Sequence, residues 1–230
     1  MNDYKYEWDM SYINKDNFVF YPHEEIIRFV SKYIRKRVDL NNFKDVCNIE
    51  NPKMLDVGCG IGRHIIYAAD MGIEAFGIDL SENAIRKARE WAAKSGLVDS
   101  EKRIIQGDIR NLPWTEETFD FAISHGVLDS MTFSTAKEAV KEIARVLKEG
   151  GLFYCDIISG DDSSHFREYA GEELVKAPHE CGTIQSYFNF TKINELIHGV
   201  FAVKESFLIR KENILTGQFT SRYHLVLKKM

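Results

Sequence analysis

Seven consecutive residues, Asp56-Val57-Gly58-Cys59-Gly60-Ile61-Gly62, have the types and spacing to hold a ligand. Three alternate glycines let the backbone approach a bound molecule closely, and a helix that follows them offers unpaired N–H groups. Asp56 narrows the ligand, because a carboxylate beneath such a turn opposes a pyrophosphate and suits a group that carries positive charge. Three further positions add chemistry. Asp79 lies 21 positions after Gly58, where a carboxylate can accept hydrogen bonds from both hydroxyls of a ribose. Gly107-Asp108-Ile109 offers a carboxylate for an amino group and an aliphatic side chain to lie on a base. Ser124-His125-Gly126-Val127 contributes an imidazole. Singly, Asp79 could be an exposed strand-end residue and Asp108 the cap of a turn. The ordered set of four is far more specific.

Elements must bring these residues together. Strand patterns over Lys53–Val57, Glu74–Asp79, Lys102–Gln106, Thr118–Ser124 and Leu152–Ser159 alternate with helical ones over Gly62–Met71, from the Ser81 N-cap to about Ser95, and from Ser134 to Leu147 before the Gly150-Gly151 pair. That alternation predicts an α/β fold, a doubly wound and mostly parallel sheet with helices on both faces and the strand ends on one edge. Residues 160–190 are polar and longer than an ordinary connection. A short helix (Lys192–Val200) and two strands (Val203–Ile209, Tyr223–Lys228) follow. Before the first strand, Pro22 opens an amphipathic helix, and residues 1–21 are rich in aromatics. As a helix, that opening stretch places Tyr4, Trp8 and Tyr12 on one face, either as packing anchors or as a lid over a ligand. The expected organisation is one domain: an N-terminal extension over 1–40, then 41–230 with the 160–190 insertion as a substrate cover.

With 44% hydrophobic and 28% charged residues, the 230-residue chain has the composition of a soluble domain with a full core. A net charge of −5 gives no electrostatic footprint for long nucleic acid or anionic lipid. No apolar run is long enough to span a bilayer, and the polar opening shows no targeting signal. Cys47, Cys59, Cys155 and Cys181 form no CxxC pair, and His165, His179, Cys181 and His198 match no zinc spacing. The expectation is a cytoplasmic protein without a metal, a monomer or homodimer, and a small-molecule partner.

The segments LDVGCGIGRH (55–64), GIDLS (77–81), QGDIRNLPW (106–114), FDFAISHGVL (119–128) and EIARVLKEGGLFYCDI (142–157) resemble the class I, Rossmann-like S-adenosylmethionine (SAM) dependent methyltransferases of small-molecule type. The resemblance covers roughly residues 52–159 and implies a seven-stranded sheet with its last strand antiparallel. Carried over by position, Asp56, Gly58, Cys59, Gly60 and Gly62 would surround the methionine part of SAM. Asp79 would bind the ribose, Asp108 the adenine amino group, Leu80 and Ile109 the adenine faces, and His125 with Gly126 the region of the sulfur. A dinucleotide dehydrogenase, the main rival, needs a third glycine where Arg63 stands. Methylation of a protein or RNA acceptor, and SAM binding without catalysis, also stay open.

Methyl transfer from a sulfonium is an in-line displacement in which orientation and desolvation supply much of the rate, so no catalytic residue is demanded unless the acceptor is protonated. Ser-His-Gly-Val after the fourth strand matches neither the Asn/Asp-Pro-Pro-Tyr of exocyclic nitrogen methylation nor a Pro-Cys of cytosine C5 methylation. The expected reaction is transfer to an O or N of a small molecule. Candidate bases are His125, Asp129, His165, His179 and Tyr187. Candidate acceptor contacts are Tyr12, Arg167 and Tyr169, together with Arg210, Arg222 and Tyr223, which the family topology would bring to the site rim.

Overall fold

The computed structural model describes residues 4–177 and 180–230. His179 therefore lies outside the described residues. Two helices, α1 (Lys5–Asn14) and α2 (Glu24–Tyr33), precede a small hairpin of β1 (Arg35–Arg37) and β2 (Phe43–Asp45). The main alternation runs β3 (Lys53–Val57), α3 (Arg63–Asp70), β4 (Glu74–Asp79), α4 (Glu82–Lys94), α5 (Ser100–Arg103), β5 (Ile104–Gln106), β6 (Phe119–His125), α6 (Phe133–Val146) and β7 (Leu147–Ile158). The insertion carries a second small hairpin, β8 (Glu172–Leu174) with β9 (Ile184–Ser186). The chain closes with α7 (Phe190–Ile197), β10 (Phe201–Glu212) and β11 (Phe219–Lys229).

Seven strands form one sheet in the order β10-β11-β7-β6-β3-β4-β5. All pairs among β7, β6, β3, β4 and β5 are parallel, and β11 runs antiparallel to both its neighbours. The central strands are buried almost throughout, as strands covered on both faces must be. One face carries Leu55, Phe119, Phe153 and Leu225 against α6 and α7, and the other carries Met54, Phe121, Ile123 and Tyr154 against α2, α3 and α4. The order reverses between β3 and β6, which sets the crevice where α/β sheets bind ligands.

Three boundaries differ from the sequence expectation. Lys102 and Arg103 belong to the helical turn α5, so the third sheet strand is only Ile104–Gln106. The Gly150-Gly151 pair does not end α6. That helix passes into β7 at Leu147, and the glycines accommodate a register shift between Phe119 and Phe121 of the partner strand. β10 and β11 are longer than expected because they pair with each other as a ribbon, out to Glu212 opposite Phe219.

Candidate functional site

Along the ligand edge, the Gly58–Gly62 turn joins β3 to α3 with all three glycines at positive φ (73°, 53° and 88°). A Cβ at Gly58 would meet Val127 at 2.4 Å, and one at Gly60 would meet the Tyr12 hydroxyl at 2.6 Å, so side chains here would fill the cradle. The cavity above measures about 230 Å³. Gly58, Cys59 and Gly60 line it from below, Asp79 and Leu80 from the end of β4, Asp108 and Ile109 from beyond β5, and His125 and Gly126 from β6. Tyr4, Trp8 and Tyr12 line it from above, on the one face that i, i+4, i+8 spacing dictates. Burial, reinforced by Asp79 and Cys59, pushes the Tyr12 phenol well up, so it remains a hydroxyl at neutral pH.

Gly62 and Asp56 do not line the cavity. Gly62 is the N-cap position of α3, and a Cβ there would lie 3.2 Å from that of Ala88 on α4. Asp56 lies buried beneath the turn, and its Oδ2 has no hydrogen bond among the described residues. The nearest cationic candidate is Nδ1 of His64, 3.5 Å away. His64 Nε2 accepts the backbone N–H of His23 at 3.3 Å, which leaves the ring proton on Nδ1. Burial lowers the His64 pKa against the pull of Asp56.

Asp79 Oδ2 accepts the Gly60 N–H at 2.8 Å and Oδ1 the Ser81 N–H at 2.9 Å. Burial outweighs both bonds and raises its carboxyl to about 6. A raised carboxyl binds its proton more tightly in the folded chain, so the ionised form, the better acceptor for ligand hydroxyls, is lost as pH falls through that value. We expect calorimetric SAM affinity to be flat at neutral pH and to weaken about tenfold for each pH unit below 6. Asp79→Asn should bind weakly with no such break. Asp108 lines the cavity but is held by Arg110, whose Nη2 stands 2.6 Å from Oδ2; that guanidinium keeps the carboxyl low despite partial burial. Ser81 caps α4 through the Ala84 N–H and donates its hydroxyl to Asp9 of α1 at 2.6 Å, which ties the aromatic roof to the same edge.

Beyond β6 lies a charged chain. His125 Nδ1 stands 2.9 Å from Asp156 Oδ1, off the hydrogen-bonding direction. That oxygen accepts the Gly126 N–H at 2.9 Å, and Oδ2 accepts Arg222 Nε at 2.8 Å. Arg222 Nη2 then donates to Asp129 Oδ2 at 2.7 Å, which also accepts the Ile158 N–H. Strand register makes this row: Asp156 is opposite His125 on β6 and His224 on β11. Burial acts to raise the Asp156 carboxyl, yet His125 and Arg222 win and hold it well below the carboxylate range. For Asp129 burial wins over Arg222, and the carboxyl is raised. The His23 ring sits 4.1 Å from that of His125, and its Nδ1 caps α2 through the Glu25 N–H. Burial and the His125 neighbour drop its pKa to about 4, so it is neutral at ordinary pH. His224, its pKa lowered by burial, shares a hydrogen bond of 2.8 Å between its Nδ1 and the Tyr154 hydroxyl. Among the described residues no group of three or more His, Cys, Asp or Glu has a metal-holding arrangement.

Several sequence candidates sit elsewhere. Asp129 and Arg222 belong to the support under His125 rather than to the cavity wall or rim. His165, Tyr169 and Tyr187 form their own cluster in the insertion: His165 Nδ1 is 2.9 Å from Asp162, Nε2 is 3.0 Å from Glu173, and the Tyr169 ring stacks at 4.3 Å. Arg167 is exposed. Arg210 is exposed over the Phe219 ring and pairs with Glu212. Tyr223 packs on the core. None of these six lines the cavity. The insertion does reach the roof, since Glu180 lines the cavity and Gly182 packs on Glu7 of α1. Sequence reasoning missed His23, His64 and His224. Only the adjacency of His64 to the glycine turn, and the alternation of Arg222 with His224, could have flagged two of them.

A family model described as a methyltransferase domain matches residues 55–155. A sterol 4-C-methyltransferase from Caenorhabditis elegans is 28% identical over 160 residues, covering 69% of this chain and 45% of that protein. A demethylmenaquinone methyltransferase from Staphylococcus aureus is 34% identical over 181 residues, covering 72% of this chain and 70% of that protein. The chain spans less than half the length of the first of these relatives. A crystal structure of a SAM-dependent methyltransferase from Methanosarcina mazei superposes with a TM-score of 0.65 at 24% identity, covering 79% of this chain and 94% of the other. The chemistry of these residues fits SAM: the glycine cradle leaves room for a ligand against the backbone, the Asp79 carboxylate lies on the cavity wall, and the buried Asp56 carboxyl beneath the turn suits a ligand that carries positive charge. By sequence, fold and cofactor, this chain belongs to the SAM-dependent methyltransferase family.

Proposed function

We propose that the chain transfers the methyl group of SAM to an O or N atom of a small-molecule acceptor, with His125 taking the acceptor's proton. The observation that carries this reading is His125 on the cavity wall, 2.9 Å from a carboxylate that Arg222 keeps ionised. SAM supplies a methyl group already activated on a sulfonium. The residues of this chain do the rest. Asp79 holds the hydroxylated part of the donor, Asp56 acts from beneath the turn on its positive charge without touching it, and Gly58, Cys59 and Gly60 let it lie against the backbone. Tyr4, Trp8 and Tyr12 exclude water, which strengthens every polar contact beneath them. The imidazole of His125 takes the proton, and the Asp156 carboxylate beside its Nδ1 offsets the imidazolium charge that forms.

A cavity of about 230 Å³ and a net charge of −5 support a small acceptor over RNA or a protein segment. A carbon acceptor is the second reading, favoured by the name of the C. elegans relative. There too a proton leaves the methylated atom. The test is a panel of phenols, amines, carboxylic acids and activated carbon acids offered with methyl-labelled SAM, the products being located by NMR. A label on carbon overturns the O/N assignment, and SAM binding without transfer to any acceptor supports a non-catalytic role.

The aromatic roof is read as a lid. Among the described residues neither hydrophobic core cluster includes a residue of α1, so removing residues 1–15 should leave the domain folded. It should weaken SAM binding about a hundredfold through the lost rings. Unchanged affinity would reduce α1 to a surface attachment.

A further inference from the structure

The two edges of the large sheet are built differently. β5, at one edge, has three residues, too short to template another strand. β10, at the other, has twelve, and no strand among the described residues pairs with it on its outer side. A long unpaired edge presents a row of free N–H and C=O groups. Chains normally protect such an edge with proline, with charge at its centre, or with a covering segment. Here the centre is Phe207-Leu208-Ile209, three consecutive apolar residues that are 54%, 40% and 44% exposed. Its one irregularity, a register shift between Val203 and Glu205, lies toward the other end.

The edge is also complementary to itself. Running outward from Leu208 in both directions, the sequence Lys204-Glu205-Ser206-Phe207-Leu208-Ile209-Arg210-Lys211-Glu212 matches each residue with a suitable partner in its own reverse. With Leu208 on a two-fold axis, an antiparallel second strand sets Phe207 against Ile209, Ser206 against Arg210, Glu205 against Lys211 and Lys204 against Glu212. Directly opposed side chains in antiparallel strands are close enough to interact, and opposite charges there stabilise the pairing. Every charge–charge pair in this register is of opposite sign, and it occurs twice by symmetry. Sliding one strand by a single residue sets Glu205 against Glu212 in one direction and Lys204 against Lys211 in the other, so the register is specified.

We propose that two copies of this chain associate along β10, edge to edge about a two-fold axis through Leu208, joining two seven-stranded sheets into one. The ligand cavities lie at the β3–β6 crevice, away from this edge, so each copy keeps a complete site.

Sedimentation analysis of the full chain should give twice its 26.6 kDa mass at micromolar concentration. Leu208→Lys sets two ammonium groups against each other on the axis and should weaken the dimer at least about tenfold, with SAM affinity unchanged as evidence of folding. A residue on the axis faces itself, so Leu208→Cys in a Cys47→Ser/Cys181→Ser background should form an intermolecular disulfide under mild oxidation. Ser206→Cys alone should not, but should cross-link to Arg210→Cys when the two are mixed. A chain that is monomeric throughout the micromolar range overturns the proposal. So does a dimer that tolerates Leu208→Lys, or one whose Leu208→Cys variant fails to cross-link.

Discussion

Replacing Arg222 with methionine should lower the unfolding free energy by about 3–5 kcal/mol, the range for removing one partner from a buried ion network. Among the described residues Arg222 alone bridges Asp156 and Asp129, both 1% exposed. Methionine fills much of its volume and satisfies neither carboxylate. The guanidinium side chain is itself 32% exposed, so the lower end of that range is the expectation. For a chain of this size that corresponds to a fall of about 6–12 °C in melting temperature. The pH dependence distinguishes this cause from lost packing. In the native chain Asp156 is held low, so its contribution is full at neutral pH and fades only in strong acid, as pH falls through the folded value. Without Arg222, burial and the two facing carboxylates raise both groups above their unfolded values, so the variant gains stability on acidification. The deficit should therefore shrink between neutral pH and mildly acidic pH, followed by calorimetry. A deficit independent of pH would point to packing alone. Arg222→Lys should fall between, since one ammonium lacks the planar fork that spans both acids.

His125→Ala should reduce turnover by about 10²–10⁴-fold, the range for a positioned base, while SAM affinity changes only a few-fold. The folded state should hardly notice, because Asp156 keeps Arg222 and the Gly126 N–H. The deficit should narrow for acceptors that ionise without help, because an anion presented to the methyl group has no proton to lose. Asp156→Asn provides a second reading of the same support. It keeps the ring but removes the charge that stabilises a protonated His125, and should lower turnover by less than the alanine change. Equal turnover by His125→Ala and the parent on a protonated phenol or ammonium acceptor would remove His125 from proton transfer.

Most of the residues along the cavity floor were legible because each lies at or just beyond a strand end, whereas Asp56 and Gly62, expected beside them, sit beneath the turn and against α4. An apolar run followed by Asp or Gly is a local signal, and the parallel sheet then gathers those ends at one edge. The seven-stranded sheet with its antiparallel last strand follows from the same alternation and the family resemblance. The acceptor half was not legible in the same way. Arg222 was expected at the rim because the last strand, being antiparallel, starts at the ligand edge. Its depth, however, depends on the length of the β10–β11 ribbon, and no residue pattern states where that ribbon turns. Asp129 was expected to face the acceptor, yet it turns inward because Arg222 and the Ile158 N–H are both on that side. His165, Tyr169 and Tyr187 have the composition of a substrate cover, but their rings pack on one another, and His165 and Tyr169 bond to acidic neighbours. His23 gave no signal because its partner is another imidazole about a hundred positions away.

The bond from Ser81 to Asp9 has a thermodynamic consequence. α1 is ten residues long, below the length at which an isolated helix persists in water, and only Ser11 within it is fully buried. Its order is sustained from outside, through the residue whose backbone N–H also grips Asp79. The segment that closes the cavity thus has little stability of its own. Local opening of α1 and release of the donor then become one equilibrium seen from two ends, so occupancy sets how often the roof opens. Amide hydrogen exchange would follow it directly: protection along Lys5–Asn14 should rise in proportion to SAM saturation, while that of β3 and β6 stays at the global limit.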